Sequence, residues 1–128
     1  LKTKILVVVS GEGGSGGALA LGVGDHVAIL EYGTYSVASP EACASIVWRE
    51  SDKAPEAAEA MKVGANDLKK IGIVDEIIVE PIGGAHQDYD TISASIKSSL
   101  LTNLAELSKF SQEELLQRRY QRLLKIGA

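Results

Sequence analysis

The chain has 128 residues, 45% hydrophobic but only 5% aromatic, and its 13 basic against 17 acidic residues give a formal net charge of -4. That length and an ordinary 23% of charged residues predict one globular domain with a real core and exclude a disordered chain. The acidic balance, with a sequence pI near 5.2, argues against a DNA- or RNA-binding surface.

Cys43 is the single cysteine, so no internal disulfide and no cysteine-rich zinc site can form. The two histidines, His26 and His86, stand 60 positions apart, and no metal site is expected in this chain. The apolar runs ILVVV and ALALGVG fall well short of the ~20 residues of a membrane span, and no charged region precedes them. The expectation is a soluble, cytosolic-type protein without a span or signal peptide. Residue 1 is Leu and the only Met is Met61, which reads as a processed chain or the later part of a longer one.

Residues 5–9 form a β-branched run, the pattern of a strand buried on both faces in a parallel sheet. Seven of the 13 glycines follow between Gly11 and Gly24, and a short helix is predicted over residues 17–22. HVAIL (residues 26–30) and YSVA (residues 35–38) read as strands. Ser39-Pro40-Glu41 then opens a helix, with a hydroxyl cap, Pro at the first helical position and a carboxylate near the positive dipole end. That helix carries Ile46, Val47 and Trp48, and a second one starts at Pro55 with alanines suited to close packing.

Asn66 is expected to cap DLKKI, with Gly72 ending it in the left-handed region, and IVDEIIVE is expected as a strand stopped by Pro81. The alternation of strand and helix predicts βαβ units and a mostly parallel sheet. Beyond the PIGGAH loop, Ile92, Ile96, Leu100, Leu104 and Leu107 form one amphipathic stripe. Ser111 with Glu114 is a capping box for a last helix carrying Leu116, Tyr120 and Leu123. Two long helices after an α/β body suggest an arm, packed on a partner subunit or on the body itself.

The glycine loop admits three readings. Gly11-Glu12-Gly13-Gly14-Ser15-Gly16 fits G-x-G-x-x-G, with Glu31 at the end of the next strand, so a dinucleotide-binding oxidoreductase is one alternative. The short, glycine-interrupted crossover weakens it, and Glu31 is more simply a strand-end charge. Gly13-Gly14-Ser15-Gly16-Gly17 also fits the nucleophile elbow G-x-S-x-G, with His86 as a base and Asp52, Asp67 or Asp75 as acid. Against that, Ser15 is accounted for as a small residue between glycines. A phosphate-binding Walker loop is excluded because Gly17 stands where its Lys belongs. The third reading uses backbone N–H groups at the first turn of the helix, which have no intrahelical acceptor and point along the positive dipole end. Glycines there let a carbonyl oxygen approach without meeting a Cβ, the physical basis of an oxyanion hole.

Five segments in order, GEGGSGGALALGVGD, TYSVASPEACASIVW, KAPEAAEAM, PIGGAH and RRYQRL, resemble the alpha subunits of bacterial-type and plastid acetyl-coenzyme A carboxylase carboxyltransferase. The resemblance extends over residues 4–127, without the N-terminal portion of the family's full subunit. It implies an α/β fold of crotonase-like type, a spiral of ββα units. Residues 1–90 would be the latter part of that core and residues 91–128 a C-terminal helical arm.

The resemblance also implies transfer of a carboxyl group from carboxybiotin to acetyl-coenzyme A, giving malonyl-coenzyme A for fatty acid biosynthesis. Gly16 and Gly17 would supply the oxyanion hole for the biotin ureido oxygen. Gly13, Gly14, Ser15, Gly83, Gly84 and His86 would line the substrate site, although a plain structural turn also accounts for PIGGAH. The implied partners are a beta subunit in an alpha2beta2 assembly, the biotin carboxyl carrier protein and biotin carboxylase, in the cytoplasm or plastid stroma. Zinc is implied only on the beta subunit. Acidic residues used by related hydratases have no clear counterpart, since Leu19 occupies one such place, and Glu41 reads as a helix-start carboxylate. A non-catalytic assembly module is the remaining alternative. The segment from Ser108 to Lys125, which carries the last helix, is net basic, with Lys109, Arg118, Arg119, Arg122 and Lys125 against Glu113 and Glu114. Those bases either complement the helix dipole or reach a partner or coenzyme A phosphates.

Overall fold

A computed structural model describes residues 1–127. Its first strand, β1 (Leu6–Val9), is followed by a short β2 (Glu12–Gly14) and helix α1 (Ser15–Gly22). The same order then repeats with β3 (His26–Leu30), β4 (Thr34–Ser36) and α2 (Pro40–Trp48). Helices α3 (Ala54–Met61) and α4 (Ala65–Lys70) precede β5 (Glu76–Ile78), and α5 (Tyr89–Leu107) and α6 (Gln112–Leu124) close the described chain.

The strands divide between two sheets. One has the order β1-β3-β5 and the other pairs β2 with β4, and every strand pair is parallel. The expected parallel α/β body is therefore present. The second sheet goes beyond that expectation, because Glu12–Gly14 has no apolar side chains to mark a strand.

Strand β3 is the centre of the molecule, with Val27, Ala28, Ile29 and Leu30 all fully buried. Successive side chains leave a strand on opposite faces. Accordingly Val27 and Ile29 join Val7, Val9, Ala65, Leu68 and Val74 on one side, while Ala28 and Leu30 join Ile78 and Ile92 on the other. Helix α4 covers the first face and α5 the second. This sandwich explains why HVAIL reads as an unbroken apolar run.

Several boundaries follow the expected chemistry. Ser39 Oγ accepts from Ala42 N–H at 3.2 Å with Pro40 at the first helical position, and Ser111 and Glu114 form the reciprocal capping box. Gly72 takes φ +77° just after α4. Asn66, however, lies inside α4 rather than capping it. The cap is Gly64, held extended by its bridge to Thr34, and its carbonyl accepts from Leu68 N–H at 3.0 Å. Strand β5 is also shorter than the eight-residue run suggests, because its pairing with β3 ends where β3 ends, at Leu30 opposite Ile78.

The stripe on α5 requires correction. Residues four apart rotate by ~40° around a helix of 3.6 residues per turn, so a strict i+4 row drifts off the buried face. The face against the sheet runs instead through Ile92, Ile96, Ser99, Asn103 and Leu107, leaving Leu104 exposed. On α6 likewise, Leu115 and Arg119 are buried, whereas Tyr120 is exposed.

Candidate functional site

Because β1, β3 and β5 are parallel, the segments that follow them leave the sheet at one edge. There the glycine loop after β1, the turn after β3 and the PIGGAH loop after β5 emerge, in that order across the sheet. The arrangement matches the general placement of ligand sites at the carboxyl ends of parallel strands.

Helix α1 starts at Ser15, two residues earlier than the sequence suggests, after an extended Gly14. Gly16 and Gly17 are thus its second and third residues, and their N–H groups precede the first possible i-4 acceptor. No side chain caps them, and neither donates to a loop or turn carbonyl among the described residues. Both residues are exposed, and a Cβ built on either meets nothing within 4 Å. The two amides are first-turn donors without a side-chain cap, on exposed residues with room for a Cβ.

Beside them lies a mostly apolar pocket of about 450 Å³, lined by Ser15, Gly16 and Leu19 of this turn together with Tyr35, Val37 and Met61 among others. Tyr35 is the only titratable residue on that lining. Its hydroxyl donates to the Ala18 carbonyl, and burial raises its pKa against a smaller opposing effect of Arg122. Ser15 has φ +54° and no histidine or carboxylate beside it on that lining, so the nucleophile reading lacks its base.

The carboxylate of Glu31 accepts from Glu80 N–H at 3.1 Å, an internal tie between two strand ends. Glu80 in turn accepts from Tyr32 N–H at 2.8 Å and from Ala85 N–H at 2.7 Å. Glu80 thereby fixes the PIGGAH loop to the turn after β3. Nothing in the spacing of Glu31, Tyr32 and Glu80 announces this. Gly83 and Gly84 adopt φ +89° and +107°, and Gly84 N–H donates to the Pro81 carbonyl at 2.9 Å. His86 is exposed and lies 2.9 Å from the Gln87 amide. These three residues share the sheet edge with the glycine loop but do not line the pocket beside Gly16. Glu41 is an exposed first-turn carboxylate of α2.

The arginines of α6 lie at the other end of the sheet. Arg119 and Arg122 are neither dipole partners alone nor free cations, as both grip aspartates that precede strands, Asp25 before β3 and Asp75 before β5. Of the three, only Arg118 stays exposed, 4.1 Å from the centre of the Phe110 ring. Among the described residues no cluster of three or more His, Cys, Asp or Glu side chains is placed to hold a metal ion, and no helix is long and apolar enough to cross a membrane.

A parallel α/β body with uncapped helix-start amides beside an apolar pocket is the frame in which the comparisons with known proteins fall. The family model described as "acetyl co-enzyme A carboxylase carboxyltransferase-like" matches residues 1–127, and the chain belongs to that family. It is 59% identical over 127 residues to the acetyl-coenzyme A carboxylase carboxyl transferase subunit alpha of Photobacterium profundum. It is 58% identical to the subunits of the same name from Vibrio vulnificus and from Photorhabdus laumondii subsp. laumondii. Each match covers 99% of this chain and 40% of the relative, so the chain spans about two fifths of the length of these curated relatives.

Proposed function

We propose that the chain is part of the alpha subunit of an acetyl-coenzyme A carboxylase carboxyltransferase, acting where the carboxyl group leaves carboxybiotin for acetyl-coenzyme A. The observation that carries this reading is the uncapped, exposed first turn of α1 at Gly16 and Gly17, with Gly16 on the lining of an apolar pocket, in a chain of this family. A biotin ring is a compact apolar bicycle with one strongly accepting ureido oxygen. An apolar pocket beside the first-turn amides of a helix fits that chemistry.

Carboxybiotin, brought by the carrier protein, supplies the carboxyl group. Gly16 and Gly17 stabilise the negative charge that gathers on the ureido oxygen as that group departs, and each such donor is worth about 3–4 kcal/mol in comparable sites. Gly13, Gly14 and Ser15 shape the approach, and Gly83, Gly84 and His86 border the entrance from the neighbouring loop. No side chain of the turn has to exchange a proton. The thioester and the zinc belong, in this reading, to a beta subunit of an alpha2beta2 assembly, which also works with biotin carboxylase in the cytoplasm or a plastid stroma.

The fold proposed with it is crotonase-like. Its support is the twice-repeated ββα order, in which the first strand of each unit joins one sheet and the second strand joins the other. In this proposal residues 1–90 are the latter part of the carboxyltransferase core and residues 91–128 a helical arm, of which residue 128 lies outside the described residues.

The test uses the full-length alpha chain with its beta subunit, following decarboxylation of malonyl-coenzyme A with free biotin as carboxyl acceptor. Gly17→Val is expected to lower the rate by about 100-fold or more while the complex still assembles. Full activity of that variant overturns the site, and tight binding of a nicotinamide cofactor overturns the reaction class.

A further inference from the structure

Tyr35 stands at the middle of β4, directly opposite Gly13 of β2 in the parallel register. Its ring lies across that glycine, since a Cβ on Gly13 would come within 2.7 Å of the ring carbon Cδ2. A Cβ on Gly22, at the far end of α1, would collide with the same residue's hydroxyl. The glycines at both ends of the segment therefore make room for one phenol. Its single donor is spent on the Ala18 carbonyl in the middle of α1.

That carbonyl is connected to the proposed site through the helix. The peptide unit that carries the Ala18 oxygen also carries the Leu19 N–H, and in α-helical pairing Leu19 N–H donates to the Ser15 carbonyl. The peptide unit of that Ser15 carbonyl carries the Gly16 N–H. A donor at one end of such a chain polarises each following bond, by roughly 10–30% per link. Gly17 N–H lies on the neighbouring row, which runs through the Gly16 carbonyl to Ala20, whereas the Tyr35 hydroxyl donates to the Ala18 carbonyl of the first row.

We infer that Tyr35 is a positioning residue for the carboxyl transfer, which fixes the direction of the first turn of α1 and strengthens the Gly16 N–H as an oxyanion donor. The inference rests on the reading of Gly16 and Gly17 given above. A phenol is protonated, and so a donor, at neutral pH, and burial shifts Tyr35 further in that direction. Tyr35 also faces the pocket together with Ser15 and Gly16, so its ring and its hydroxyl serve the same place.

Tyr35→Phe in the full-length alpha chain with its beta subunit separates these roles, because it keeps the ring against Gly13 and removes only the donor. The expected result is a fall of ~5-fold in kcat for malonyl-coenzyme A decarboxylation, with KM for biotin within about twofold of wild type. The rate is expressed per active site titrated. An unchanged kcat, with Gly17→Val inactive in the same assay, overturns the role of Tyr35 and leaves the glycine site standing. Full activity in Gly17→Val overturns the glycine site itself. A lower bulk rate that disappears on division by titrated sites makes Tyr35 a folding residue and likewise overturns the inference. Tyr35→Leu, which also removes the ring, is expected to raise the biotin KM in addition to lowering kcat.

Discussion

Arg119 of α6 holds Asp25, 94 positions earlier in the chain, through two parallel bonds, Nε to Oδ1 at 2.8 Å and Nη2 to Oδ2 at 2.7 Å. The pair is nearly dry, with 9% and 2% of the two side chains exposed. The remaining guanidinium donors reach the carbonyls of Leu1 at 2.8 Å and Thr3 at 2.6 Å, and Asp25 Oδ2 also accepts from Ile5 N–H at 2.7 Å. One turn further on, Arg122 repeats the pattern on Asp75, 3.0 Å away, whose Oδ2 accepts from Val27 N–H at 2.8 Å. Helix α6 thus straps the amino-terminal edge of the sheet, opposite the edge that carries the glycine loop.

Removing one partner of a buried pair leaves the other charge uncompensated, at a cost of about 3–5 kcal/mol. Arg119→Met is expected to lose stability in that range by urea unfolding, and Arg119→Lys most of it, since an ammonium cannot reproduce the fork. Arg118→Gln should lose less than ~1 kcal/mol, the worth of an exposed cation over a ring. Equal losses at positions 118 and 119 would contradict the strap.

Glycines in the loop are expected to divide into two groups. Gly13→Ala forces a contact with Tyr35 and should destabilise by about 1–3 kcal/mol. Gly16→Ala, with open space around it, should leave stability unchanged or raise it by about 0.5–1 kcal/mol, as alanine in a helix does. Ser15→Ala should keep most activity. Thermal melts and the malonyl-coenzyme A assay read the two effects separately. Inactivity of a folded Ser15→Ala chain would restore the nucleophile.

Glu76 makes stability depend on acid. Burial pushes its pKa up, but hydrogen bonds from Ser99 at 2.8 Å, His26 at 2.9 Å and Asn103 at 3.0 Å outweigh that and hold it below the usual value. A depressed carboxyl stabilises the fold fully above its unfolded value of about 4.3, and the contribution fades as the pH falls through the lower folded value. The stability gap between the wild type and Glu76→Gln should therefore narrow as the pH falls below about 4.3. A gap that persists unchanged to about pH 3 would show that the carboxylate form is not what the network holds.

His86→Ala should raise the biotin KM roughly twofold to tenfold, about 0.4–1.4 kcal/mol of lost binding, with kcat kept. Steady-state kinetics of the assembled enzyme decide it. Unchanged constants would reduce PIGGAH to a turn held by Glu80.

Much of this protein is written in local signals. HVAIL, the Ser39 and Ser111 caps, Gly72 and the parallel α/β class are legible because apolar runs, capping hydroxyls and left-handed turns act over a few residues, and those few residues suffice to read them. The glycine-rich opening of α1 is legible for the same reason. Tertiary structure decided the rest. It assigned EGG to a second sheet and turned α5 so that Ser99 and Asn103, rather than Leu104, face Glu76. It also placed Tyr35 over Gly13 and buried Arg119 on Asp25. Each of these depends on which partner a side chain meets across tens of residues, and a polar side chain carries no local mark that tells a buried ion pair from a solvated charge.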